Sequence, residues 1–202
     1  MSKSFKRLLI VFLFVFLFGL KAVSIADLVA EGKTIVCFGA SLTAGEGAEP
    51  GDDYPSQLRK MVNLPVINAG VQGDSSVDEL KRLQEDVLEK NPEIVIITQR
   101  TNDLKHYIPK QDSLNNLEMI IDRIQHYGAR VFLVTFETQE FKESYFKDIR
   151  NLAMKKHVIV IADVLNGIDS NPQYMHDSIH PNNAGYGVVA KRVYQAIEPY
   201  LK

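Results

Sequence analysis

Cysteine is almost absent from this chain of 202 residues: Cys37 is the only one. No intrachain disulfide is possible, so stability has to come from a buried core. The length suffices for one α/β domain with a sizeable core. Cys37 lies in the apolar run Ile35-Val36-Cys37-Phe38 and reads as a buried small hydrophobe. Internal repeats and low-complexity linkers are missing too, which argues for a single domain. A phosphate-cradling loop would need the G-K-[ST] of a P-loop, and none follows the first strand.

The first 26 residues differ in kind from the rest. Lys3, Lys6 and Arg7 form a positive head, and Leu8 to Leu20 is an almost unbroken apolar run. Ser24-Ile25-Ala26 has the small-x-small form of a cleavage site. Residues 1–26 therefore read as a secretory signal cut after Ala26. An uncleaved anchor is the alternative, but the run is short of the about 20 residues that a full span needs. No cysteine follows it closely, which disfavours a lipoprotein anchor. The segment carries four of the 23 basic residues and none of the 25 acidic ones, so the remainder has a net charge of about −6. A basic excess is thus lacking, and nucleic acid is excluded as a natural partner. The expected product is exported, periplasmic or secreted. Its contact with a membrane would be transient at most, or made through the N-terminal segment.

What is present is a regular alternation. Thr34–Phe38, Pro65–Asn68, Ile94–Thr98, Val131–Thr135 and Val158–Ala162 read as strands. Unbroken apolar runs such as Ile94-Val95-Ile96-Ile97 suit parallel strands covered on both faces. Between them, apolar residues recur at helical spacing: Val77, Leu80, Leu83, Val87; then Leu114, Leu117, Ile120, Ile121, Ile124; then Phe141, Tyr145, Ile149, Leu152; and last Val189, Val193, Ala196, Ile197. Ser76 and Glu79 have capping-box spacing, and Gly128 stands where a helix must stop. This rhythm predicts a doubly wound parallel sheet with helices on both faces, domain 27–202. Ligand sites in such sheets gather at the carboxyl ends of the strands.

Four patches fall at those ends. Ser41, in Phe38-Gly39-Ala40-Ser41-Leu42, follows the first strand directly. It is either a helix-capping serine or a nucleophile whose neighbouring backbone N–H groups hold an oxyanion. The second is Asn68-Ala69-Gly70-Val71-Gln72-Gly73-Asp74-Ser75-Ser76, where either glycine lets the backbone approach a ligand closely. The third is Arg100-Thr101-Asn102-Asp103, whose asparagine is a turn residue or a neutral donor to a carbonyl oxygen. The fourth places Asp177 three residues before His180. A carboxylate at that spacing can bind Nδ1 and turn Nε2 outward. His176, Asp177 and His180 make a poor metal set, since an i,i+4 histidine pair needs a helix and Pro181 follows at once. If Ser41 and His180 meet in the fold, the chain is a serine hydrolase.

Taken together and in order, these patches resemble the four blocks of the SGNH hydrolases, also called GDSL esterases/lipases. The likeness spans nearly the whole of residues 27–202. It is strongest to the exported thioesterase/lysophospholipase branch in Met175-His176-Asp177-Ser178-Ile179-His180-Pro181-Asn182. The resemblance implies an α/β/α fold with five parallel strands in flavodoxin-like order, and hydrolysis of an acyl ester or thioester of small-molecule size without cofactor or metal. It implies Ser41 as nucleophile, His180 as general base and acid, and Asp177 as its orienting partner. It also implies an oxyanion hole of the Ser41 and Gly73 backbone N–H groups and the Asn102 side chain, choosing Gly73 over Gly70. A carbohydrate O-acetyl esterase needs the same parts, and a non-catalytic binding protein of the same fold is the other alternative. Two positions depart from the family pattern. Ala40 replaces the acidic residue before the serine, and Arg100 replaces a glycine, with Gln99 before it. Arg100 either points into the cleft and favours an anionic or polar substrate or pairs with a nearby carboxylate. The segments Gly45–Asp53 and Leu104–Gln111 are expected to shape the cleft.

Overall fold

Side-chain alternation along the strands organises the fold. Strand β1 (Thr34–Gly39) buries Ile35, Val36, Cys37 and Phe38 completely. Successive side chains on a strand point to opposite faces. Ile35 and Cys37 accordingly join one core cluster, and Val36 and Phe38 the other. The same division runs through β3 (Pro92–Thr98) and β4 (Arg130–Val134). Ile94, Ile96, Phe132 and Val134 share the first cluster; Val95, Ile97, Val131 and Leu133 share the second. A computed structural model describes residues 33–98, 102–136 and 143–201, with side chains from residue 146 onward in the last stretch. The expected signal segment 1–26 lies outside the described residues, as do Gln99, Arg100 and Phe141.

Strands β2 (Val66–Gly70) and β5 (Ile159–Ile161) complete a five-stranded, all-parallel sheet of order β2-β1-β3-β4-β5. This is the α/β architecture expected from the sequence rhythm. Helices α2 (Tyr54–Arg59) and α7 (Asn183–Ile197) cover the first face with Tyr54, Leu58, Tyr186, Val189, Val193 and Ile197. Helices α3 (Ser76–Asp86), α5 (Lys110–Tyr127) and α6 (Glu143–Lys155) cover the second. Two short helices, α1 (Ser41–Ala44) and α4 (Asn102–Lys105), sit at the carboxyl ends of β1 and β3. Helix α5 stops at Gly128, whose φ of 99° suits glycine.

Several details differ from the sequence expectation, three of them near the carboxyl ends of β1 and β2. β2 runs on to Gly70, because Gly70 pairs with Gly39 at the end of β1. The capping box belongs to Ser75 and Asp78, one residue earlier than Ser76 and Glu79. The buried stripe of α3 begins with Ser76 and Glu79, while Val77 faces outward. A cause lies across the cleft: the Ser76 N–H donates to Asp103 Oδ1 at 2.7 Å, which draws that side of the first turn against α4.

Candidate active site

The order in which strands are added switches sides at β1. β2 lies on one flank and β3 on the other, so the segments leaving their carboxyl ends diverge and open a crevice. Ser41 is the first residue of α1. Gly39 makes the turn possible, since a Cβ there would meet Thr43 Oγ1 at 2.7 Å and the Thr98 carbonyl oxygen at 2.9 Å. Ala40 is buried, so an apolar methyl occupies the position before the serine.

The histidine arrives from the other end of the chain. Met175 and Pro181 form an antiparallel bridge that closes residues 176–180 into a tight loop. Within it Asp177 Oδ1 accepts the Ile179 and His180 backbone N–H groups, both at 2.7 Å. Asp177 Oδ2 lies 2.8 Å from His180 Nδ1. Partial burial raises the Asp177 pKa, but the His180 ring and the two backbone donors outweigh it and pull the carboxyl down to about 2. On the far side of the ring, His180 Nε2 lies 3.1 Å from Ser41 Oγ. Residues 139 positions apart are thus joined through one imidazole. Asn182 fixes the loop to the helix behind it. Its backbone N–H donates to Tyr174, and its side chain caps α7 through the Ala184 and Gly185 N–H groups.

Asn102 is buried at the start of α4 and donates its amide to the Asp74 carbonyl at 2.9 Å. The two glycines of the second patch separate by environment. Gly70 is pressed against α1, where a Cβ would lie 2.2 Å from the Ala44 backbone nitrogen. Gly73 has φ +83° and open space where a Cβ would stand. The first is a packing glycine and the second a turn glycine in open space.

Residues 37–188 match the GDSL-like Lipase/Acylhydrolase family. The chain belongs to that family. Its members are ester-hydrolysing serine hydrolases, as the sequence resemblance implied. The chain is 25% identical over 180 residues to an arylesterase of Vibrio mimicus, covering 84% of this chain and 90% of that one. It is 24% identical over 181 residues to thioesterase 1/protease 1/lysophospholipase L1 of Escherichia coli (strain K12), covering 85% and 86%. Its fold superposes on the psychrotrophic esterase EstA from Pseudoalteromonas sp. with a TM-score of 0.73, at 21% identity and with 83% and 98% of the chains covered.

On this GDSL-family scaffold, three further residues gather around the crevice: Glu46 and Arg82, which the sequence motifs did not single out, and Asp103, which closed the third patch without a role of its own. Glu46, just past α1, places Oε2 3.2 Å from His180 Nε2. Arg82 on α3 donates to the Gly39 and Ala69 carbonyls, at the carboxyl ends of β1 and β2, and pairs with Asp74 and Asp86. Its guanidinium also stacks 4.4 Å above the Phe38 ring. Asp103 holds the first turn of α3, and its Oδ2 is buried without a partner among the described residues. Beside it Glu79 is buried. Desolvation pushes its carboxyl up to about 8, against the Arg82 charge and with added repulsion from Asp103, Asp74 and Asp78. Cys37, also buried, has its thiol pushed up to about 12, chiefly by desolvation, so it is no nucleophile. Glu46 had a sequence cue, a carboxylate between two glycines directly after the serine helix, and Asp103 stood beside Asn102 in the third patch; Arg82 had none.

Proposed function

We infer that this chain is an exported serine esterase cleaving carboxylic ester or thioester bonds through Ser41, His180 and Asp177. The observation that carries it is the unbroken chain of contacts from Ser41 Oγ through both His180 nitrogens to the Asp177 carboxylate. With Asp177 ionised on Nδ1–H, the neutral ring presents the Nε2 lone pair to the serine hydroxyl. As Oγ bonds to the acyl carbon, its proton passes to Nε2. The resulting imidazolium is held at Nδ1 by the Asp177 carboxylate. Nε2–H then protonates the leaving oxygen or sulfur as the bond to the acyl carbon breaks. Water, activated by the same nitrogen, hydrolyses the acyl-enzyme.

The tetrahedral oxyanion is assigned to the Ser41 N–H, the Gly73 N–H and Asn102 Nδ2. An amide nitrogen carries two hydrogens. The one bound by the Asp74 carbonyl fixes the plane of Asn102, and the other is left for the oxyanion. The positive φ of Gly73 supports its place in the set. Export rests on the N-terminal sequence alone. The acyl and leaving-group preferences suggested by the arylesterase and thioesterase/lysophospholipase relatives are carried here as substrate candidates.

The test is labelling with a fluorophosphonate, followed by peptide mass spectrometry and a nitrophenyl ester panel. An adduct on Ser41, and loss of both labelling and turnover in Ser41→Ala, is the expected result. Folded protein with no adduct and no turnover would instead indicate a binding protein. For export, the secreted or periplasmic product should begin at Asp27.

A further inference from the structure

Glu46 stands where a triad of serine, histidine and aspartate does not require a carboxylate. Its Oε2 is 3.2 Å from the same His180 nitrogen that faces Ser41 Oγ at 3.1 Å. The backbone beneath it is held on both sides. The Glu46 N–H donates to the Ser41 carbonyl at 3.0 Å, and the Glu46 carbonyl accepts the Tyr186 hydroxyl at 2.7 Å. Next in the chain, Gly47 is packed on the histidine loop, where a Cβ would meet the Pro181 carbonyl oxygen at 2.6 Å and His176 Cβ at 2.8 Å. The side chain is 35% exposed, so the carboxylate lines the mouth of the crevice and has room to rotate.

The reaction defines what that place is. After Ser41 has attacked, Nε2–H has to reach the oxygen of the departing alcohol. A group within hydrogen-bond distance of Nε2, other than Ser41 Oγ, therefore stands in the leaving-group space. A carboxylate there repels an anionic leaving group. It accepts a hydrogen bond from a hydroxyl next to the ester oxygen, and such a charge-assisted bond is stronger than a neutral one.

Resting on the serine-esterase reading, we propose that Glu46 is a specificity residue for the leaving group. It selects esters of neutral polyhydroxy alcohols, glycerol-like or sugar-like, over esters of plain or phosphorylated alcohols. Glu46 rotates off Nε2 as the ester oxygen enters and accepts the neighbouring hydroxyl. The proton from Nε2 goes to the departing oxygen as its bond to the acyl carbon breaks. The neighbouring hydroxyl keeps its own hydrogen, and no proton passes to Glu46.

Substrates sharing one acyl group isolate this effect. kcat/KM is measured for glyceryl monoacetate, a monoacetylated methyl xyloside, n-propyl acetate and acetylglycerol phosphate, with wild type, Glu46→Gln and Glu46→Ala. The ratio of glyceryl monoacetate to propyl acetate is expected to fall about tenfold or more in Glu46→Ala, as loss of a hydrogen bond to a charged group implies. Glu46→Gln, which keeps an acceptor oxygen without the charge, should lie between. The phosphorylated ester should gain relative to propyl acetate in both variants. A fall confined to one of the two polyol esters supports the proposal and identifies the alcohol. Ratios for both polyol esters within about twofold of wild type in Glu46→Ala overturn it, even if every acetate is hydrolysed. If wild type hydrolyses none of the acetates and Ser41 takes no phosphonate, the esterase reading itself fails and this proposal falls with it.

Discussion

Asp177 spends both carboxylate oxygens on one five-residue loop. One oxygen holds the backbone of Ile179 and His180, and the other meets the ring. Asp177→Asn keeps the shape but reverses the donor sense at Nδ1, which selects the wrong tautomer. We expect kcat/KM on nitrophenyl acetate to fall about 10³- to 10⁴-fold, while the urea midpoint changes little. Glu79 gives the opposite kind of prediction, one of stability. Its folded pKa of about 8 lies above the ordinary 4.5. The contribution of Glu79 to stability is therefore complete below about pH 4.5 and is lost as pH rises through about 8. Wild type should show a falling urea midpoint between about pH 5 and pH 8.5, and Glu79→Gln should flatten that fall, having no charge to bury. An equal fall in both proteins would place the titration elsewhere.

Among the elements, α3 shows how far the chain could be read from its sequence. Strands β1, β3, β4 and β5 were legible because four or five consecutive apolar residues have few alternatives in a buried parallel sheet. Helices α5 and α7 were legible because their stripes face only the core. The first turn of α3 was not, because its register is set by a partner 27 residues away: Asp103, which takes the Ser76 N–H. The serine pair Ser75-Ser76 left the cap ambiguous by one residue, and only the fold decides it. Ser75→Ala should cost about 1 kcal/mol in urea unfolding, the usual value of a lost N-cap. Ser76 has a different partner, Asn116, whose amide donates to its hydroxyl. The meeting of Ser41, His180 and Asp177 was legible because the proposed chemistry demands fixed residue types, and the fold brings the three into contact. Glu46 was not, since its meaning depends on which nitrogen its carboxylate meets.

Across the whole molecule, the crevice is assembled from segments that a second set of contacts ties together. Tyr186 and Asn183 on α7 bind the loop after the serine: Tyr186 at the Glu46 carbonyl, Asn183 at the Glu49 N–H and the Asp52 carboxylate. Tyr186→Phe should lower kcat/KM severalfold for every ester while costing about 1 kcal/mol of stability, the worth of one hydrogen bond. Activity unchanged at lowered stability would show that the tie serves folding alone. The position of α7 also has a consequence in time. The serine is laid down with the first strand, but its proposed base comes after the fifth, in a loop held by the last long helix. A chain made only as far as Ile168 holds every strand but lacks His180, the proposed base for Ser41. On the proposed triad, hydrolytic power therefore arrives at the end of synthesis, when α7 docks. Until then the emerging chain is chemically silent toward the esters around it.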